Sequence, residues 1–206
     1  MKKRTKWLIS AGGTLLIIGA IGFYPTSENL DPSKWIKITL RDTINAPLRA
    51  VSELVGNVKL EKATEKKKYN GMPGIIKIRP LTGNFSKPGD SHVVYFSSGD
   101  TLVESIVVIK PPYVFSYELT KPSLPMKYAV YKARGEFDRS ALDSNRTLTV
   151  WTYSFLNRNF ISTFFVKSYI KNTHQFWMRD MLKATKEQIE KDYQAKRDSS
   201  KLKAAL

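Results

Sequence analysis

The apolar residues of this chain change period near its C-terminal end, and that change fixes what it can fold into. From Ile75 to Phe155 they recur mainly at every second position, as on strands with one buried face. From about Phe160 to Tyr193 a different set, Val166, Ile170, Thr173, Trp177, Met181 and Ala184, recurs every three or four residues as the stripe of one long amphipathic helix. Such a stripe has to be covered, and the apolar faces of the preceding strands are the natural cover.

The strands can be placed in turn. Ile36, Ile38, Leu40 and Ile44 alternate with Lys37, Thr39, Arg41 and Thr43, which predicts a first half-buried strand. Asn45 then reads as an N-cap with Pro47 close behind, opening a short helix through Leu48, Val51, Leu54 and Val55 to Gly56. The charged run Lys59 to Lys68 is expected as an exposed helix or loop, and Asn70-Gly71-Met72-Pro73-Gly74 ends it before a strand at Ile75 to Arg79. Four further strands follow, at His92 to Phe96, Thr101 to Ile109, Tyr113 to Thr120 and Lys127 to Asp138, joined by hairpin connections. A last strand runs from Arg146 to Phe155, and Gln194 to Leu206 reads as a polar tail.

Ahead of all this, Trp7 to Tyr24 carries no charge for 18 residues, about 27 Å as a helix, which nearly matches a bilayer core. Lys2, Lys3, Arg4 and Lys6 precede it and predict a cytoplasmic N-terminus, so the remainder is expected outside the cytoplasm as an extracytoplasmic domain. Ala20-Ile21-Gly22 would suit a signal peptidase, but the apolar run is long and no polar region precedes that point, which favours an uncleaved anchor. The expected organisation is thus a basic start at 1–6, a transmembrane segment at 7–24, a linker at 25–34, one domain at 35–193 and the tail at 194–206.

In this order the motifs Ile44-Asn45-Ala46-Pro47, Lys87-Pro88-Gly89-Asp90, Gly99-Asp100-Thr101-Leu102-Val103-Glu104, Pro111-Pro112, Phe115-Ser116-Tyr117 and Val150-Trp151-Thr152-Tyr153-Ser154-Phe155 occur. Together they resemble the polyketide cyclase/dehydrase and lipid-transport superfamily, SRPBCC or START-like, over about Trp35 to Tyr193. The resemblance implies an α+β helix-grip fold, a curved antiparallel sheet wrapped around a long C-terminal helix. It also implies a cavity between sheet and helix that holds lipids, sterols, polyketides or hormones. Its expected wall is Phe115, Tyr117, Tyr131, Phe137, Trp151 and Tyr153 on the sheet with Thr173, Trp177 and Met181 on the helix.

Chemistry beyond binding has little to work with. Cysteine is absent, which excludes disulfides, thiolate metal sites and a cysteine nucleophile, and no phosphate loop, paired-histidine metal motif or nucleophile elbow occurs. No catalytic residue, metal or cofactor is therefore expected. The two histidines, His92 and His174, read either as a pair meeting across the cavity or, in the preferred reading, as separate surface or core residues. Glu104, opposite the face of Val103, Val107 and Ile109, reads either as a cavity carboxylate or, preferred because Lys110 shares its face, as solvent-facing. Lys132, Arg134, Glu136 and Asp138 share one outward face of their strand, with Tyr131, Ala133, Gly135 and Phe137 on the other.

Lys and Arg total 34 against 18 Asp and Glu, a net charge of +16 that favours polyanions such as an anionic lipid surface. Nucleic acid is not expected, because the topology separates the domain from it and no aromatic-interleaved basic motif occurs. The leading expectation is a membrane-anchored domain that binds a hydrophobic small molecule or lipid. The alternatives are a cyclase- or dehydratase-like enzyme and a non-catalytic envelope scaffold whose cavity is filled.

Overall fold

A computed structural model describes residues 35–58, 72–123 and 125–204. The segment read as membrane-spanning, 7–24, and the charged run 59–68 lie outside the described residues. Among the described residues no helix is long and apolar enough to cross a membrane.

Seven strands form one antiparallel sheet: β1 Trp35–Ile44, β2 Ile75–Thr82, β3 Ser91–Phe96, β4 Thr101–Lys110, β5 Val114–Thr120, β6 Val130–Ala141 and β7 Thr147–Asn157. Their spatial order is β1-β7-β6-β5-β4-β3-β2, so every neighbour but β1–β7 is a hairpin partner. Short helix α1, Leu48–Leu54, follows β1, and the C-terminal helix comprises α2 Phe160–Tyr169, a π-helical turn Ile170–His174 and α3 Gln175–Ala204. The helix thus continues through most of the stretch read as a polar tail.

Rows of partnered residues cross the sheet on the face turned to the helix. They are Ile36–Phe155–Ala133–Leu119, Ile38–Tyr153–Gly135–Tyr117, Leu40–Trp151–Phe137–Phe115 and Asp42–Thr149–Arg139. Most of the first three rows is apolar, as period-two strands with one buried face require. Gly135 is needed in its row: a Cβ there would collide with the ring of Tyr117, which lies across the glycine. On the opposite face Glu118 bridges Lys132 at 3.0 Å and Arg134 at 2.7 Å, the outward charged ladder the alternation predicts.

At the far end of the sheet Ile44, Ala46, Val51 and Ile189 form a second apolar cluster that ties β1 and α1 to α3. Asn45 does not cap α1. Pro47 holds the N-cap position with extended ψ and no side-chain bond, while the Asn45 backbone N–H donates to Glu190 Oε1 at 2.7 Å. The Thr147 hydroxyl donates to the Ala46 carbonyl at 2.8 Å, so this corner is fastened from both sheet and helix.

The long helix starts at a capping box. Asn159 accepts the Ser162 N–H at 2.9 Å, and the Ser162 hydroxyl accepts the Asn159 N–H at 2.9 Å. The π turn then inserts one residue into the helical repeat and moves the buried stripe on by one position. His174, Trp177, Met178, Met181, Leu182 and Ile189 are buried, and Ala184 is only half-buried.

Candidate functional site: an aromatic cavity between sheet and helix

Between the concave sheet and the long helix lies a cavity of about 1150 Å³. Its sheet wall is a chain of contacting rings. Phe115 and Tyr117 lie 5.7 Å apart, Phe137 stacks on Trp151 at 4.8 Å, and Tyr153 meets Trp151 edge-on at 6.1 Å. Trp177 closes the helix side, 5.5 Å from Trp151 and 5.2 Å from His174. Offset and edge-on packing of this kind leaves ring faces turned to the void, where an apolar ligand meets them without displacing the core.

The polar groups in the wall are few and mostly buried. Burial pushes the Tyr117 and Tyr153 hydroxyls well above the ordinary tyrosine range, and the nearby Glu104 carboxylate pushes both the same way. His174, fully enclosed, has its pKa lowered to about 3 by burial and is therefore neutral. Its Nδ1 lies 3.2 Å from the Tyr169 hydroxyl, and its Nε2 has no hydrogen-bond partner. The indole N–H of Trp177 likewise lacks an acceptor, whereas that of Trp151 is directed at the Tyr117 hydroxyl. An apolar cavity with unsatisfied donors at fixed positions is suited to hold and orient a molecule carrying a few acceptors.

No protein-family model and no curated protein matches the sequence. Solved structures do. The Zhui aromatase/cyclase from a Streptomyces species is 18% identical, with TM-score 0.55 over 76% of this chain and 94% of that one. Norcoclaurine synthase from Thalictrum flavum, in complex with dopamine and hydroxybenzaldehyde, is 10% identical, with TM-score 0.55 over 79% and 91%. A major latex-like protein from Panax ginseng is 15% identical, with TM-score 0.52 over 77% and 97%. This is the START-like, or SRPBCC, helix-grip fold.

Of the nine wall residues expected from the sequence, the helix-grip fold places seven around the cavity: Phe115, Tyr117, Phe137, Trp151, Tyr153, Trp177 and Met181. Tyr131 and Thr173 lie off it. At Tyr131 a β-bulge sets Val130 opposite Asn157 and Lys132 opposite Leu156. The alternation therefore slips by one, and the Tyr131 ring packs under the Arg158 guanidinium at 5.6 Å. Thr173 is buried, but the π turn gives the cavity-facing position to His174.

Glu104 corrects the sequence reading in the opposite direction. A bulge between Ile106 and Val108 changes the phase of β4, so Glu104 faces inward although Lys110 faces solvent. Its Oε2 lies 2.7 Å from His92 Nε2, and the two histidines are held apart, His92 by Glu104 and His174 by Tyr169. Phe85 stacks on the His92 ring at 3.8 Å. The loop carrying Phe85 is fixed by Asp90, whose carboxylate accepts the N–H groups of Ser86 at 2.9 Å and Lys87 at 3.3 Å. Those bonds lower its pKa. Gly83, at φ +61, leaves room for that carboxylate, where a Cβ would strike it.

Sequence reasoning passed over Arg139, Thr149 and Phe85, all of which line the cavity. For Arg139 the signal was present, since it continues the inward face of Ala133, Gly135 and Phe137. Among the described residues no cluster of three potential metal-ligating side chains occurs.

Proposed function

We propose that this domain binds a hydrophobic small molecule or lipid in the cavity between sheet and helix. The observation that carries the reading is the aromatic cavity itself, at about 1150 Å³ larger than most drug-sized sites, with buried donors in its wall that lack partners. A cavity of this size speaks against the scaffold reading, which required a filled core. One structural relative's complex with dopamine and hydroxybenzaldehyde agrees with small-molecule binding in this fold.

The finer reading is a carrier tethered at a membrane by the N-terminal apolar run, with its domain outside the cytoplasm. Its support is the sequence pattern together with exposed rings on α2, of which Phe165 also lines the cavity. Phe160 and Phe164 are 74% exposed and Phe165 58%, with Lys167 and Lys171 on the same helical segment. Aromatic rings flanked by lysines suit the interface of an anionic bilayer. A C-terminal reporter active only outside the cytoplasm is expected to work, and activity confined to a cytoplasmic reporter would overturn the tether's orientation.

Native mass spectrometry of the full chain extracted in mild detergent tests the binding reading. A co-purifying hydrophobic compound, released on denaturation, is expected. A bare protein mass, even after exposure to a total lipid extract, would count against it. One observation favours a second reading, a cyclase-like enzyme: the His92–Glu104 pair at 2.7 Å sits in the cavity wall near Tyr117. Recovery of the compound unchanged after prolonged incubation supports the carrier, and conversion to a product supports the enzyme.

A further inference from the structure

Four described residues with charged side chains other than histidine line the cavity, and three have side-chain partners, a histidine for one and lysine or arginine for the other two. Glu104 lies 2.7 Å from His92, Asp42 lies 3.3 Å from Lys186, and Glu53 is bound by Arg49 at 3.2 Å and Lys196 at 3.3 Å. Arg139 is the fourth. It is 9% exposed, its Nε has no hydrogen-bond partner, and no carboxylate among the described residues lies within ion-pair distance. Its guanidinium sits 5.5 Å from the Phe137 ring, at the start of the aromatic wall. Directly across the ladder on β7 is Thr149, also buried and lining the cavity, whose hydroxyl likewise lacks a partner. Asp42, next along the row, is engaged elsewhere: its Oδ1 accepts the Thr43 N–H at 2.7 Å in addition to the lysine.

A cation enclosed without a counter-charge is unfavourable, and burial accordingly pulls the Arg139 pKa below its ordinary value. An anion in the cavity would relieve that. Guanidinium presents a planar fork to carboxylate or phosphate, and the threonine hydroxyl adds a donor beside it. From the Arg139 row to the Ala133 row is six residues of strand, about 20 Å, along a wall that is otherwise mostly aromatic and aliphatic.

We propose that Arg139, with Thr149, anchors the anionic head group of an amphiphilic ligand whose apolar body lies along the Phe137–Trp151–Tyr153 wall. This rests on the ligand-binding reading and names the class of ligand. The shared chemistry is an anionic oxygen group on a long apolar body, whether a fatty acid's carboxylate or a lipid's phosphate.

The full chain in neutral detergent is incubated with an equimolar mixture of isotopically labelled palmitic acid, hexadecyl phosphate and 1-hexadecanol. The amounts retained through gel filtration are compared after subtraction of protein-free micelles. One or both anions are expected to be enriched at least about tenfold over the alcohol, as a charge-assisted bidentate contact provides. The acid-to-phosphate ratio then identifies the head group. Arg139→Met is expected to bring the retention of both anions down to that of hexadecanol, and Arg139→Lys to keep part of the enrichment. Thermal melting checks that each variant folds, and Thr149→Val gives a partial loss should Arg139→Met fail to do so. Equal retention of all three compounds by the unaltered protein, or enrichment that survives in Arg139→Met, overturns this inference alone. Retention of none of them overturns it together with the ligand-binding reading.

Discussion

Phe155→Ala is expected to lower the unfolding free energy by about 3–5 kcal/mol, whereas Trp177→Ala costs only about half as much and changes the affinity for a neutral hydrophobic dye. Both are buried aromatics on facing elements, but their surroundings differ. Phe155 is 0% exposed and packed on several sides, with Tyr153 at 5.0 Å, His174 at 5.0 Å and Tyr169 at 6.2 Å, so truncation opens a new void. Trp177 touches Trp151 and His174 on one side and the existing cavity on the other. Removing it forfeits contacts on one side only and also removes an indole N–H that has no acceptor. Urea unfolding of both variants and titration with Nile red measure the contrast. Equal, severe destabilisation with unchanged dye affinity would make Trp177 ordinary core and end the cavity interpretation.

Where periodicity held, the sequence was a reliable guide. Seven strands, the outward ladder of Lys132 and Arg134, and the aromatic wall at Phe115, Tyr117, Phe137, Trp151 and Tyr153 all follow from alternation that stays in phase. It went astray where a single inserted residue changed the phase. The bulge after Ile106 turned Glu104 inward, the bulge at Tyr131 turned that ring off the cavity, and the π turn replaced Thr173 with His174. None of the three insertions has a composition signature of its own, since each becomes favourable only when the partner strand or the packed sheet is present.

Arg139 was missed for a different reason. Its position on the inward face was legible, but arginine is ordinarily an exposed residue, and that general rule displaced the local one. The His92–Glu104 contact was hidden in both ways, because it needs the β3–β4 register as well as the bulge in β4. In this domain the residues that break alternation, or that place charge against it, are the ones that give the cavity its polar features. A sequence locally inconsistent with a plain core is what a binding site requires.

His174 makes the folded domain sensitive to acid, and the direction follows from its neutral state. In the unfolded chain the imidazole titrates near its ordinary value of 6.5, whereas in the folded domain burial lowers that to about 3. Between these values the unfolded state binds the extra proton, so stability is full above about pH 6.5 and falls as the pH is lowered toward 3. The expected slope approaches about 1.4 kcal/mol per pH unit. The groups packed on the ring offer no carboxylate to offset a charge: Tyr153 at 4.4 Å, Phe155 at 5.0 Å, Trp177 at 5.2 Å and the Tyr169 hydroxyl at 3.2 Å. Asp90, Asp100 and Asp143, whose pKa values are lowered by their hydrogen bonds, and Glu118, where burial is outweighed by the bonds to Lys132 and Arg134, add acid sensitivity from the ordinary carboxylate range downward. His92 and the carboxylates are common to both proteins, so the difference between the unaltered chain and a variant lacking the His174 imidazole isolates that histidine over the interval from pH 6 to pH 5. His174→Asn keeps a polar atom within reach of the Tyr169 hydroxyl but does not titrate, so urea unfolding of this variant is expected to show a shallower profile over that interval than the unaltered chain, by up to about 1.4 kcal/mol per pH unit. Parallel slopes in the two proteins would show that His174 is protonated in the folded state and that the cavity floor is open to water.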